Sequence, residues 1–131
     1  MSVTFHITMF RPDSDEHTDF TIEPEEFIAV LKNQWPSAET EQWDAVPEGA
    51  EWRLLPESAP ASFGYLGGDR QTITLDLAPE EAFERFILWY REFVPSNIPL
   101  HLFSSSDALV TLQITSSTTE EQIVDFAGLR R

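Results

Sequence analysis

One stretch decides the fold, Gln71 to Val94, which reads QTITLDLAPEEAFERFILWYREFV. Apolar and polar residues alternate from Ile73 to Leu77, which predicts a β-strand with one buried face. The period then lengthens, and apolar residues recur at helical spacing: Phe83, Phe86, Ile87, Tyr90, Phe93 and Val94. Pro79 suits the first position of that helix, because a proline there loses no hydrogen bond. The stretch therefore predicts a strand that runs into the main helix of the core.

The size and composition of the chain predict one domain. Its 131 residues are 41% hydrophobic, which is enough for a single core and too much for a disordered chain. Cysteine is absent, which excludes disulfides and thiolate metal sites and fits a reducing cytoplasm. No apolar run approaches the roughly 20 residues that cross a membrane, and the amino end lacks the features of a signal peptide. We therefore expect a cytoplasmic protein with a single α+β domain over residues 1–131.

The remaining strands and helices follow from the same two periodicities. Strands are predicted at Val3–Thr8, Ala38–Trp43, Glu51–Leu55, Ser62–Leu66, Pro99–Phe103 and Leu109–Thr115. Helices are predicted from Glu23 to Trp35 and from Thr118 or Thr119 to Gly128. Two hairpins, one turning at Gly67–Arg70 and one at Ser104–Asp107, dominate the pattern, so the fold class is an α+β two-layer sandwich. Its mostly antiparallel sheet of five to seven strands carries three helices on one face, and the other face is open to water or to a partner.

Charge is the strongest global feature. Aspartate and glutamate number 23 against eight lysines and arginines, and the formal net charge at pH 7 is −15. Nucleic acids and anionic membranes bind positive surfaces, so neither is expected as a partner. Such a charge favours a basic protein as the partner, although a high negative charge also serves to keep a protein in solution.

An acidic loop runs from Asp13 to Asp19 and reads DSDEHTD. Its oxygen-bearing side chains alternate as they do at the start of a calcium loop. The match ends there, because such a loop needs glycine at its sixth position and glutamate at its twelfth, where this chain has Thr18 and Pro24. We therefore expect no metal site. The residues expected to contact a basic partner are Asp13, Asp15, Glu16 and Asp19.

Two of the four tryptophans, Trp43 and Trp52, lie at or near predicted edge strands. Tryptophan is enriched at the centres of protein interfaces, so an exposed tryptophan at either position would anchor a partner. Packing into the core is the equally good alternative for each of them. Trp89 lies beside the apolar stripe of the main helix and is expected to be partly buried.

Polar residues on the predicted strands form a second group of candidate site residues. Three predicted strands share one sequence pattern, and if they lie side by side His6, Asp76 and Gln113 point to the same side of the sheet. His101, on a further strand, could join them. A histidine near an aspartate can act as a general base, so these four residues form an alternative ligand-binding or catalytic site. An ordinary hydrophilic sheet face explains the same pattern more simply, because threonine is typical of such faces.

The sequence contains none of the common catalytic or cofactor signatures, such as GxxxxGK[ST], GxGxxG, HExxH and GxSxG. No cofactor is therefore expected, and binding is favoured over enzymatic activity. The leading hypothesis is a small acidic protein-interaction module of bacterial type, analogous in charge and size to the immunity proteins and antitoxins that inhibit a basic protein. A homodimer formed through an edge strand or the open sheet face is a further alternative.

Overall fold

The computed structural model describes residues 4–10, 18–36, 39–43, 49–54, 62–67, 70–76 and 82–128. Within these ranges the chain forms seven strands and three helices. The strands are β1 (Thr4–Thr8), β2 (Glu39–Trp43), β3 (Gly49–Leu54), β4 (Ser62–Leu66), β5 (Thr72–Asp76), β6 (His101–Ser104) and β7 (Asp107–Gln113). The helices are α1 (Pro24–Gln34), α2 (Ala82–Phe93) and α3 (Glu120–Ala127). No helix in these ranges is long and apolar enough to cross a lipid bilayer.

All seven strands form one sheet in the order β2-β3-β4-β5-β1-β6-β7, and every neighbouring pair is antiparallel. The predicted hairpins are the pairs β4–β5 and β6–β7. Strand β2, which carries Trp43, lies at an edge as expected, whereas β3, which carries Trp52, lies inside the sheet between β2 and β4. The α+β prediction, with a mostly antiparallel sheet and three helices, is therefore confirmed.

One face of the sheet carries the core. Phe5 and Ile7 of β1 pair in register with Leu75 and Ile73 of β5, and partners in an antiparallel pair share a face. All four side chains are buried in one cluster that includes side chains from each helix. The helical members include Phe27 and Leu31 of α1, Phe86, Ile87 and Tyr90 of α2, and Ile123 of α3. The three helices therefore pack against the same face.

Helix α2 follows its sequence pattern closely. Phe86, Ile87, Tyr90 and the Val94 that follows the helix are at most 2% exposed. Burying each such side chain contributes on the order of 1.5–3 kcal/mol before chain entropy is subtracted. The helix is thus held mainly by its buried stripe. Its predicted first turn, at residues 79–81, lies outside the described residues.

Local sequence signals set the ends of the other two helices. Helix α1 begins at Pro24 and ends before Trp35, because the residue preceding a proline disfavours helix. The hydroxyl of Thr119 accepts a hydrogen bond from the Gln122 amide, and the Gln122 side chain accepts one from the Thr119 amide. This capping box starts α3. Gly128 ends it with a φ of 73°, a left-handed conformation that glycine adopts without strain.

The second face of the sheet differs from its prediction, because its centre is not open. Thr8, Thr74, His101 and Phe103 are all buried there. Thr8 pairs with His101 across β1 and β6, and these two strands have neighbours on both sides. The aromatic ring of Phe103 also adds an apolar side chain that the alternating polar pattern does not reveal. The expectation of a fully open second face is therefore wrong for its centre.

Candidate functional site

His6 lies near the centre of the second face, on β1. Its Nδ1 atom is 3.0 Å from the hydroxyl oxygen of Thr74, and its ring centroid is 5.3 Å from that of Phe103. Burial lowers the pKa of His6 below its usual value, since desolvation disfavours the charged ring. The ring is therefore neutral at pH 7 and acts there as a hydrogen-bonding partner of Thr74.

The other three polar candidate residues occupy register positions on the same face. The backbone of Asp76 pairs with Thr4, His101 pairs with Thr8, and Gln113 pairs with His101. Strand β6 lies between β1 and β7, so Gln113 is two strands away from β1, or about 10 Å. Gln113 is exposed and His101 is buried, and the side chain of Asp76 lies outside the described part. Strands β1 and β5 are neighbours, as the sequence-based site requires, and β7 is not.

The residues expected to contact a basic partner are described only in part. Asp19 is exposed. Trp43 ends the edge strand β2, and Trp52 pairs with Gly64 of β4, but the side chains of both tryptophans lie outside the described part. Asp13, Asp15 and Glu16 lie outside the described residues.

The described surface of the helical layer is acidic. The exposed acidic side chains of its helices are Glu25, Glu26, Glu92, Glu120, Glu121 and Asp125. The exposed basic side chains of the same helices are Lys32 and Arg85. Carboxylates at the start of a helix also suit the positive end of its dipole, so those in the first turns of α1 and α3 have a local structural role as well.

Aromatic side chains join α1 to α2 at the outer edge of the core. The ring centroids of Trp35 and Trp89 are 5.3 Å apart, with their planes at 73°. Trp35 stacks on Phe86 at 5.9 Å, and Phe27 contacts Trp89 edge-on at 5.7 Å. Both tryptophans are half-buried, so each has one part in the core and another at the surface. The expectation that Trp89 is partly buried is confirmed.

A groove opens beside these two tryptophans, and we call it the tryptophan groove. Its volume is about 350 Å³. Trp35, Trp89 and Leu88 supply its apolar lining. The charged residues that line the groove are Glu92, Glu120 and Arg85. An aromatic surface beside carboxylates suits the apolar stem and the cationic head of a lysine or arginine side chain.

A second groove of about 550 Å³ adjoins the first and shares Leu88 and Glu92 with it. We call it the arginine groove, because Arg91 of α2 lies in its lining. Hydroxyl-bearing residues complete the polar part of the lining: Ser96, Thr115, Ser116 and Thr118.

Arg91 is only 8% exposed. Its Nη1 donates a hydrogen bond to the carbonyl of Ile114 at 3.2 Å, and its Nη2 donates to those of Val94 and Pro95 at 3.3 and 2.7 Å. These bonds tie the end of α2 to the segment that leads into α3. Burial lowers the pKa of Arg91 from its usual value, and the neighbouring Tyr90 acts in the opposite direction. The guanidinium stays charged, because an arginine pKa starts so high.

Sequence reasoning missed both grooves. It interpreted Trp35 only as the residue that ends a helix, and it did not single out Arg91. The available signal was the position of Arg91 in the last turn of a helix, where a cation can bond to terminal carbonyls. Among the residues with described side chains, no three histidine, aspartate or glutamate side chains are arranged to hold a metal ion.

Comparison with known proteins assigns the chain to no family. No protein-family model matches the chain, and no curated protein or solved structure is significantly similar to it.

Proposed function

We propose that this protein is a non-enzymatic interaction module that recognises a basic partner through the outer surface of its helical layer. The observation that carries the proposal is the tryptophan groove, in which Trp35 and Trp89 are half-buried beside Glu92 and Glu120. The formal charge of −15 supports it, since an acidic surface attracts basic proteins from a distance.

The groove would receive a lysine or arginine side chain of the partner. A cation over the face of a tryptophan contributes about 0.5–2 kcal/mol, depending on how far both groups are desolvated. Glu92 and Glu120 would add Coulomb attraction at the rim, which acts mainly on the association rate and on the salt dependence. Arg85, at the same groove, works against a cation and so favours a partner whose charges are spaced to avoid it.

One concrete form of this function is inhibition of a basic toxin or nuclease by an immunity- or antitoxin-like protein in a bacterial cytoplasm. Charge and size support this form. The residues that the sequence predicts to contact a basic partner, Asp13, Asp15, Glu16, Asp19, Trp43 and Trp52, would supply further contacts.

A test uses a short lysine-rich peptide and its fully acetylated counterpart, titrated at low ionic strength while tryptophan fluorescence is recorded. We expect only the charged peptide to bind. The double variant Glu92→Gln/Glu120→Gln should bind about three- to tenfold more weakly, because two carboxylates beside the groove are lost.

The matched control is Glu25→Gln/Glu26→Gln, which removes the same charge from the exposed start of α1. It should change the affinity less than twofold, since the groove itself is intact. Equal weakening by both pairs would mean non-specific charge attraction and would reject the groove. Absence of binding to the wild-type protein would count against a basic partner altogether.

A small-ligand or catalytic site on the second face is the alternative, and the observation in its favour is the desolvated ring of His6 beside Thr74. The buried centre of that face counts against it, because a ligand would have to reach closed side chains. A ligand screen monitored through the imidazole resonances of His6 and His101 would support this alternative only if both respond to the same compound.

Self-association through an edge strand is the third proposal. Strand β7 lies at one edge of the sheet, and its Val110 is 53% exposed. The pairing of β6 with β7 shifts register between Phe103 and Ser104, and such irregularities commonly protect an edge from pairing with another chain. Light scattering over a range of concentrations tests this proposal, and a monomer at the highest concentration would exclude it.

A further inference from the structure

The arginine groove contains a buried cation without a carboxylate partner. Arg91 is 8% exposed, and its hydrogen bonds go to the main-chain carbonyls of Ile114, Val94 and Pro95. In the described part of the chain, no carboxylate lies within salt-bridge distance of this guanidinium. A buried charge without an ionised partner is uncommon, because desolvating it is unfavourable.

The carbonyl groups at the end of α2 offset part of that charge, since the carboxyl end of a helix carries a partial negative charge. They do not use all the donors of Arg91. A guanidinium has N–H groups on Nε, Nη1 and Nη2. The described contacts use Nη1 once and Nη2 twice, and none of them uses Nε, which leaves the Nε–H and one Nη1–H for another acceptor.

The surroundings of Arg91 offer such an acceptor both space and further donors. The groove has a volume of about 550 Å³, and the residues at it include Ser96, Ser116 and Thr118. The Thr118 hydroxyl accepts a bond from the Thr115 amide within the loop. The hydroxyls of Ser96 and Ser116 make no hydrogen bond with the described residues, so both can turn towards a bound group.

We propose that the arginine groove binds a small oxyanion of the phosphate or carboxylate class, with Arg91 as its charged ligand and Ser96 and Ser116 as hydroxyl donors. A planar guanidinium matches the oxygens of either group better than a point charge does. This proposal does not rest on the basic partner proposed above, although the two grooves share Glu92. Glu92 also lines the groove, and its charge opposes an anion, so the affinity should lie in the millimolar range.

The experiment titrates the ¹⁵N-labelled full chain with inorganic phosphate, with acetate and with chloride at equal ionic strength. We expect phosphate, acetate or both to shift the amide signals of residues 96 and 115–118 in a saturable way, and chloride to leave them unchanged. A response to phosphate alone would assign the site to phosphate groups, and a response to acetate alone to carboxylates. Identical shifts with chloride, or shifts spread over the whole chain, would overturn the proposal.

Two single variants separate a local effect from the overall charge. Glu92→Gln should tighten binding of the active anion about two- to fivefold, because it removes the opposing carboxylate from the groove. Glu25→Gln makes the same change of net charge on α1 and should have almost no effect. Equal effects of the two variants would reject the site. Arg91→Lys should weaken binding at least fivefold, and if it fails to fold, the comparison of the two glutamine variants still decides.

Discussion

Both faces of the sheet are buried at their centres, but different interactions hold them. On the helical side, Ile7 and Ile73 are completely buried among apolar side chains. On the second face, the neighbouring positions of the same two strands bring His6 and Thr74 together at 3.0 Å. Residues of the same strands thus alternate between the two faces. One face is held by apolar burial, and the other combines polar contacts with the ring of Phe103.

This difference predicts which face supplies most of the stability and which face is more sensitive to pH and to single substitutions. Apolar burial has no direction and scales with the area removed from water, so the helical side should supply most of the free energy of unfolding. A buried polar group needs one particular partner, and losing that partner leaves its desolvation uncompensated. The second face should therefore contribute less stability, but it should respond to pH and to the loss of single atoms.

The largest expected effect comes from breaking the helical side at Phe27. This side chain is completely buried and contacts the rings of Trp89, Tyr90 and Phe93. Phe27→Ala should lower the free energy of unfolding by about 3–5 kcal/mol, as measured by urea denaturation, because it leaves a cavity between α1 and α2. Phe27→Leu keeps most of the volume and should lose less than half as much. A loss below about 1 kcal/mol for the alanine variant would contradict this account.

A smaller effect is expected at Thr74 on the second face. Thr74→Val keeps the shape of the side chain but removes the hydroxyl that contacts Nδ1 of His6. The free energy of unfolding at pH 8 should fall by about 1 kcal/mol, because His6 loses its partner in a partly buried setting. Thr111→Val is the matched control, since Thr111 occupies the same face on the edge strand β7 and is half-exposed. If the two variants were equally stable, the polar contact would have no energetic role.

The smallest effect is a pH dependence that His6 imposes on stability. Burial puts its folded-state pKa below the unfolded value of about 6.5. The unfolded state therefore takes up a proton first, and stability is lost as the pH falls from about 7 through that unfolded pKa. His6→Gln should flatten this part of the stability curve obtained by urea denaturation at several pH values. A wild-type curve that is flat down to pH 5, or one that the variant leaves unchanged, would refute the assignment.

The sequence predicted those features that neighbouring residues determine. The stripe containing Phe86 and Tyr90 fixed the buried side of α2, because a helix repeats its faces locally. The sequence narrowed the start of α3 to Thr118 or Thr119, of which Thr119 is the cap, and it marked the end at Gly128, since capping depends on a few adjacent residues. Alternation also located the strands, including the edge strand β2.

Features that depend on distant residues could not be predicted in the same way. Alternation shows which side chains of a strand share a face, but it does not show which strand lies beside it. The insertion of β6 between β1 and β7, which separates Gln113 from His6, therefore escaped prediction. The two grooves escaped for the same reason, because Trp35 meets Trp89 and Arg91 meets Ile114 only after the helices have packed.

The position of β1 has a consequence for how the protein assembles. This strand precedes every other described element, yet its neighbours in the sheet are β5 and β6, which follow it by dozens of residues. During synthesis on the ribosome, the strand that carries Phe5 and Ile7 cannot pair along either edge until β5, at Thr72–Asp76, has been made. Contacts this distant in sequence slow folding. A nascent chain stalled before Thr72 should therefore expose an unpaired apolar strand, which would make it a ready target for chaperones.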